Sequence, residues 1–351
     1  MYSKSFNLEI KRKISPFRKK IKIDSDKSIS IRSFLISSIS QNISSIKNVL
    51  ESEDVFSTIK CLKKLGVKIK KKGKGDYLVY GKGLGSLHSR KNLELNFGNS
   101  GTLARLLIGI LTTTPNIELK IKGDHSLNKR NMKKLIFLMS KFGATFLPKN
   151  KYNFPLKIIS SEMPVGISYK AEVSAQLKSA VILAGLNSYG KTKISESHKS
   201  RNHTENMLRN NLKVIKIKEG DKNFIEVFGK RNLKRLNISI PADPSSAAFY
   251  AALTLLNNNS SIKMTNVCLN KTRIGFFNLL KKQGAKIKFK NLKTENNELR
   301  GDIFVKSSII KPIKASKKYY VTSTDEYPIL FVIASLSKGI SVFKGIQDLA
   351  N

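Results

Sequence analysis

The chain has 351 residues, with 65 Lys and Arg against 24 Asp and Glu, a formal net charge of +41 at pH 7. That length exceeds what one hydrophobic core usually fills, and 40% hydrophobic residues suffice to build more than one. Two distant cysteines, Cys61 and Cys268, exclude a disulfide scaffold, a zinc ribbon and a thioredoxin-type site, and no apolar run approaches the ~18 residues of a membrane helix, so a cytoplasmic protein is expected.

The charge does not by itself indicate a nucleic-acid protein. Only 12 of the 65 basic residues are Arg, Lys is spread over nearly every segment, and Trp is absent. Base reading and stacking favour Arg and aromatics, so no specific nucleic-acid partner is expected, although a diffuse Lys surface adheres weakly to polyanions. The basic stretch Met1 to Lys20 lacks the continuous apolar core of a signal peptide.

A long-period repeat then organises the chain. An apolar helical stretch, a small turn and an alternating strand recur at Ile31 to Val49, Leu103 to Gly123, Leu177 to Ser197, Ala247 to Val267 and Tyr327 to Gly345. With Asn42, Asn116, Lys191, Ser260 and Gly339 as the turns, the steps are 74, 75, 69 and 79 residues. Between them a second helix ends in a short turn before two strands, at Leu65-Gly66-Val67, Phe142-Gly143-Ala144 and Gln283-Gly284-Ala285, with a weaker copy at Asn211-Leu212-Lys213. The unit is therefore strand, helix, strand, helix, strand, strand, over roughly 70 residues. Four units are complete and a fifth stops after its first half. Gly229 to Asn237 reads as a linker, and a second crossing is expected at Ile23 to Asp26.

The first helices all open on small or polar residues: Asp26-Lys27-Ser28, Gly98-Asn99-Ser100-Gly101-Thr102, Ser174-Ala175-Gln176, Asp243-Pro244-Ser245 and Thr324-Asp325-Glu326. Any one of these is an ordinary N-cap. Because the units repeat, equivalent helix starts fall at equivalent ends, and several N–H clusters can face one cleft, an arrangement suited to anions. Arg placement points the same way. Arg32, Arg130 and Arg201 lie in or near helix starts and can grip phosphate or carboxylate with two hydrogen bonds, whereas Arg105 and Arg273 are read as surface charges or helix-packing ion pairs. The four histidines form no His-Glu-x-x-His motif and have no cysteine partner nearby in sequence, so no metal site is expected. Lys27, Asp325 and Glu326 remain as titratable candidates, with capping or solvent exposure as their ordinary roles.

In order along the chain, Asp26-Lys27-Ser28-Ile29-Ser30-Ile31-Arg32, Phe97-Gly98-Asn99-Ser100-Gly101-Thr102, Gly123-Asp124-His125-Ser126-Leu127-Asn128-Lys129-Arg130, Ser174-Ala175-Gln176-Leu177-Lys178-Ser179-Ala180, Arg201-Asn202-His203-Thr204-Glu205, Asp243-Pro244-Ser245-Ser246 and Asp325-Glu326-Tyr327-Pro328 resemble the EPSP synthase (3-phosphoshikimate 1-carboxyvinyltransferase) family. The resemblance implies an α/β (α+β) enolpyruvyl transferase fold of two domains built from repeated βαβαββ units. Residues 23–231 would form the first, three-unit domain, and 1–22 plus 232–351 a discontinuous second domain, incomplete at its C-terminal end. The implied reaction moves the enolpyruvyl group of phosphoenolpyruvate to the 5-hydroxyl of shikimate 3-phosphate, with no metal or organic cofactor, in a monomer. Carried over by position, Lys27, Ser28, Arg32, Ser174, Gln176, Arg201 and Asp325 would hold shikimate 3-phosphate. Lys27, Asn99, Gly101, Arg130 and Gln176 would hold phosphoenolpyruvate, with Asp325 and Lys27 catalytic. The 351 residues stop before the family's Lys-Glu-Ser-x-Arg motif, so a glutamate, a lysine and two arginine contacts of the family are expected to be missing. A sister family, acting on UDP-N-acetylglucosamine, usually carries a reactive loop cysteine that neither Cys61 nor Cys268 matches.

Overall fold

A computed structural model of the chain describes residues 7, 9, 11–220 and 222–350. Residues 1–6, 8 and 10 of the expected 1–22 segment, and Asn351, lie outside the described residues. The chain runs β1 (Arg18–Lys22), α1 (Lys27–Ser38), β2 (Ile43–Lys47), α2 (Glu53–Lys64), β3 (Lys68–Gly73) and β4 (Asp76–Tyr80). It continues through β5 (Glu94–Asn96), α3 (Gly101–Thr113), β6 (Glu118–Lys122), α4 (His125–Lys129), α5 (Lys133–Ser140), β7 (Thr145–Leu147) and β8 (Leu156–Ile159). Next come β9 (Ser168–Ala171), α6 (Ala175–Gly185), β10 (Lys191–Glu196), α7 (His203–Leu208), β11 (Ile215–Lys218) and β12 (Asn223–Phe228). The remainder is β13 (Asn237–Ser239), α8 (Pro244–Leu256), β14 (Ser261–Cys268), α9 (Gly275–Lys282), β15 (Lys286–Glu295), β16 (Glu298–Lys306), β17 (Lys314–Ala315), α10 (Lys317–Ser323), a 3₁₀ turn (Thr324–Glu326), α11 (Tyr327–Ser335) and β18 (Val342–Phe343).

The repeat is built by local chemistry. Four of the first helices follow a strand, α11 follows α10 and a 3₁₀ turn, and in the turn after each of the five the chain passes through a left-handed residue, at Asn42, Asn116, Gly190, Asn259 and Gly339. Asn and Gly tolerate that conformation best. Two of these residues, Gly190 and Asn259, lie one position before Lys191 and Ser260, the turns expected from the repeat. The second helices are amphipathic; in α2, Val55, Thr58, Ile59, Cys61 and Leu62 are buried while the lysines face out. Three of them are followed by the expected left-handed glycine, Gly66, Gly143 and Gly284, whereas Leu212 in the fourth copy has no positive φ.

The four-stranded sheets have the orders β13-β2-β4-β3, β5-β6-β8-β7, β9-β10-β12-β11 and β1-β14-β16-β15. In each, the first pair is parallel and the other two pairs antiparallel. The first and fourth sheets have exchanged their opening strands: β1 joins β14, and β13 joins β2. Gly229 to Asn237 is therefore not a free linker. Leu233 and Leu236 are buried, Gln41 N donates to Leu233 O, and the following strand completes the first sheet.

Two buried apolar clusters result. One runs from Ile29 to Ile240 with Cys268, enclosing the almost wholly buried α1, α3 and α6. The other takes Ile23 and residues from Ala242 to Ile333. The chain passes between them twice, and the two passages lie side by side: Asp26 N donates to Pro241 O and Asp243 N to Asp24 O, each at 2.9 Å. No helix is long and apolar enough to cross a membrane among the described residues.

Candidate active site

Four first helices are capped by side chains at their opening residue: Asp26 accepts from Ile29 N, Ser100 from Leu103 N, Ser174 from Leu177 N and Asp243 from Ser245 N. The fifth is different. Thr324–Glu326 forms a 3₁₀ turn, Glu326 makes no cap bond to α11, and its buried carboxylate accepts instead from Ser245 Oγ at the start of α8. Burial raises its pKa against the lowering effects of Ser245 and Arg273.

The starts of α1 and α6, the segment before α7 and the 3₁₀ turn converge on a cavity of about 300 Å³ between the two clusters. Ser28, Arg32, Ser174, Gln176, Arg201 and Asp325, six of the seven residues expected around shikimate 3-phosphate, line it together with His203, Tyr320 and Thr324. Arg32 is fixed on all sides: Nε donates to Thr204 Oγ1 at 3.0 Å, Nη1 to Ser28 O at 3.1 Å and Nη2 to Ser179 Oγ at 3.4 Å. Burial pulls its pKa down to about 10, with Asp26 and Glu205 opposing, so it stays cationic at neutral pH. Arg201 Nη2 reaches Asp325 Oδ2 at 2.6 Å across the cavity. Lys27 is the exception among the seven. Its ammonium sits 3.1 Å from Asp54 Oδ2 on α2, and it is not among the lining residues.

Four of the five residues expected around phosphoenolpyruvate, Asn99, Gly101, Arg130 and Gln176, form an adjoining cluster, and Lys27, paired with Asp54, is not brought into it. Arg130 Nη2 donates to Asn99 Oδ1 at 2.9 Å. A Cβ placed on Gly101 would meet Arg105 Nη1 at 2.7 Å and Arg130 Nη1 at 2.9 Å, so glycine is what lets two guanidinium groups crowd this helix start. Gln176 joins the two groups: its Oε1 accepts from Arg105 Nη1 at 2.9 Å, and its Nε2 donates to Thr102 Oγ1 at 3.0 Å. Arg105, read from sequence as a surface or packing charge, thus belongs to this cluster and also donates to Gly101 O. Its helical spacing from Gly101 was the available signal.

Arg273 is an ion-pairing residue, but between clusters rather than between helices of one. Its guanidinium bridges the caps of α1 and α8, at 2.8 Å from Asp26 Oδ2 and 3.0 Å from Asp243 Oδ1. Burial lowers its pKa, and the two carboxylates more than reverse this. Beside it, His203 Nε2 lies 3.3 Å from Arg273 Nη1 and His203 Nδ1 2.7 Å from Glu298 Oε1, which also accepts from Asn206 and Asn270. His203, Cys268 and Glu298 bring their donor atoms within 4.8 Å of one another. Sequence spacing hid this trio because its members come from α7, β14 and β16. Its polar atoms are engaged by protein partners: the Cys268 thiol donates to Glu298 Oε2 at 3.7 Å, and burial holds that thiol well above its ordinary pKa.

A cleft that gathers Arg32, Arg105, Arg130 and Arg201 with one carboxylate and a glycine-opened helix start suits two small phosphorylated anions. The family model for EPSP synthase (3-phosphoshikimate 1-carboxyvinyltransferase) matches residues 11–351. The chain is 37% identical over 341 residues to 3-phosphoshikimate 1-carboxyvinyltransferase from Sulfurihydrogenibium sp., spanning 96% of this chain and 78% of that protein. Identity to the enzyme of the same name from Bacillus licheniformis is also 37%, over 96% and 78% of the two chains. The solved EPSP synthase of Acinetobacter baumannii superimposes with a TM-score of 0.84 at 32% identity, covering 95% of this chain and 75% of that one. The enolpyruvyl transferase NikO from Streptomyces tendae shares the fold, with a TM-score of 0.70 at 12% identity over 93% of this chain and 74% of that one. By sequence, by fold and by the ordered motifs that meet in this cleft, the chain belongs to the EPSP synthase (3-phosphoshikimate 1-carboxyvinyltransferase) family.

Proposed function

We propose that the cleft joins phosphoenolpyruvate to the 5-hydroxyl of shikimate 3-phosphate, giving 5-enolpyruvylshikimate 3-phosphate and inorganic phosphate, as the family's reaction requires. Shikimate 3-phosphate occupies the cavity, its phosphate held by Ser174 and Arg201 and its ring side by Ser28, Arg32 and Gln176. Phosphoenolpyruvate lies against Asn99, Gly101, Arg105 and Arg130. The observation that carries this reading is Gln176, one side chain that borders the first cavity and hydrogen-bonds into the second cluster.

Bond changes follow from that placement. The 5-hydroxyl oxygen bonds to C2 of the enol while C3 gains a proton, giving a tetrahedral adduct; loss of a C3 proton and of phosphate then restores the double bond. Asp325 accepts the hydroxyl proton, and Lys27, released from Asp54, carries protons and contacts both substrates. Cations already fixed before the anions arrive lower the cost of bringing two phosphorylated molecules together.

The two clusters support a two-domain division in which the crossings lie at Ile23–Asp26 and Ile240–Asp243, rather than at residue 231, because β13 completes the first sheet. Both substrate clusters come from one chain, in keeping with a monomer, and two buried free thiols suit a reducing cytoplasm. Calorimetry with shikimate 3-phosphate, followed by phosphoenolpyruvate, tests the function. We expect saturable binding that Arg201→Ala weakens strongly; binding equal to that of a scrambled polyanion, lost uniformly with salt, would sink it.

A further inference from the structure

Lys178 is fully buried on α6, one turn beyond the cap residue Ser174. Its ammonium lies 3.1 Å from both carboxylate oxygens of Glu196, at the end of β10, and 2.7 Å from Glu205 Oε1 on α7. Glu196 Oε1 in turn accepts from Ser200 N and Ser200 Oγ, each at 3.0 Å, while Ser200 O lies 3.5 Å from the ammonium. Residues 197–200 therefore fold around a charged post, and the next residue is Arg201.

The other arm leads to Arg32. Among the described residues, the carboxylate of Glu205 has no hydrogen-bond partner apart from this ion pair. It is carried by the same turn of α7 as Thr204, which accepts from Arg32 Nε and donates to Ser179 Oγ at 2.9 Å. Three charges taken out of water are a poor source of stability, because desolvation offsets most of their attraction. What they supply is geometry. Lys178 ties the start of α6, the Ser200–Arg201 segment and the α7 turn that holds Arg32 to one point.

We propose that Lys178 is a positioning residue for the phosphate of shikimate 3-phosphate, acting through Glu196 and Ser200 to set where the Arg201 guanidinium stands relative to Ser174. The inference rests on the reading of the cavity given above. It places behind the lining of the cleft a buried lysine that never touches substrate, yet fixes where an arginine meets it.

The test is a double-mutant cycle of Lys178→Met and Arg201→Ala on the 351-residue chain, read as the dissociation constant for shikimate 3-phosphate by calorimetry, with thermal midpoints measured alongside. In the Arg201 background Lys178→Met should weaken binding about 10-fold or more, and in the Arg201→Ala background less than about 2-fold, because the residue through which Lys178 acts is already gone. Equal losses in both backgrounds, or no loss in the first, overturn the proposal. Should Lys178→Met fail to fold, Ser200→Ala takes its place in the same cycle, deleting one bond to Glu196, with about a 3-fold loss expected only when Arg201 is present. A wild-type chain that does not bind shikimate 3-phosphate sinks the cavity reading and this inference together; wild-type binding with additive losses sinks the inference alone.

Discussion

Arg201 and Asp325 meet at 2.6 Å across the cleft, one from the segment before α7 and the other from the 3₁₀ turn before α11. Each is proposed to face substrate, so this pair sets the phosphate-binding cation against the base. A phosphate arriving at Arg201 has to loosen that pair and thereby frees the carboxylate. Asp325→Asn should therefore leave shikimate 3-phosphate affinity equal or higher, since the half-exposed pair contributes at most about 1 kcal/mol. Phosphate release from phosphoenolpyruvate should fall about 100-fold or more, because the amide cannot accept the hydroxyl proton. Unchanged turnover would assign the base elsewhere.

Arg130→Lys should separate the two substrates. Arg130 spans Asn99 and the open face of Gly101, and a lysine offers one charge without the planar fork. The expected loss in phosphoenolpyruvate binding is about 1.5 to 3 kcal/mol, with shikimate 3-phosphate binding alone nearly unaltered. Titration of each ligand in turn decides it.

Gly101→Ala tests the same corner from the backbone side. The new methyl would press on the tips of Arg105 and Arg130, flexible ends that can move aside without unfolding α3. A thermal midpoint within a few degrees of the wild type and a phosphoenolpyruvate affinity lower by about 10-fold are expected. A large drop in stability with unchanged affinity would mean that the glycine serves packing only.

Asp26 gives a pH signature. Burial raises its pKa, but Arg273, His203 and the Ile29 N–H outweigh that, leaving it at about 2 instead of 3.8. A carboxylate depressed by folding contributes its stability above the unfolded value and loses it as pH falls from about 4 through about 2, here some 2 to 3 kcal/mol. Asp26→Asn should be less stable than the wild type at pH 6, and the gap between their thermal midpoints should narrow as the pH is lowered through that window. A constant gap would contradict the assignment.

Exposed apolar residues concentrate on the second cluster. Phe249 on α8 is 65% exposed, Val332 on α11 is 55% and Leu336 just after it 66%, whereas α1, α3 and α6 are covered on nearly every face. Limited proteolysis should leave a resistant fragment bounded near Ile23 and Ile240, and Phe249→Ser with Leu336→Lys should reduce concentration-dependent aggregation measured by light scattering. Uniform resistance along the chain, with no effect of the double substitution, would be the contrary result.

The sequence carried the unit order and the helix starts because each depends on neighbouring residues: a cap, an apolar stretch, an Asn or Gly in the turn. It did not carry partnerships between distant segments. Nothing local in Asn237–Ser239 says that it pairs with β2, and nothing in Arg273 says that it joins Asp26 to Asp243. Glu326 looked like a cap because it precedes a helix, yet its carboxylate serves Ser245 on another element. Lys27 was placed in the site by its motif, and the competing carboxylate of Asp54 was visible only once α1 and α2 had packed.

The exchange of opening strands has a consequence for synthesis. A nascent chain makes β1 ahead of the first cluster, but the parallel neighbour of β1, β14, emerges only after the stretch from Ile29 to Ile240 has been made. Until then its backbone donors and acceptors are an open template, and its sequence, Arg18-Lys19-Lys20-Ile21-Lys22, places a cation at four of five positions, which discourages pairing with other chains. β13, the last piece of the first sheet, arrives directly before α8, so the first body closes just as the second begins. The ribosome thus delivers a waiting strand, a finished body, and then the partner for which the strand was held.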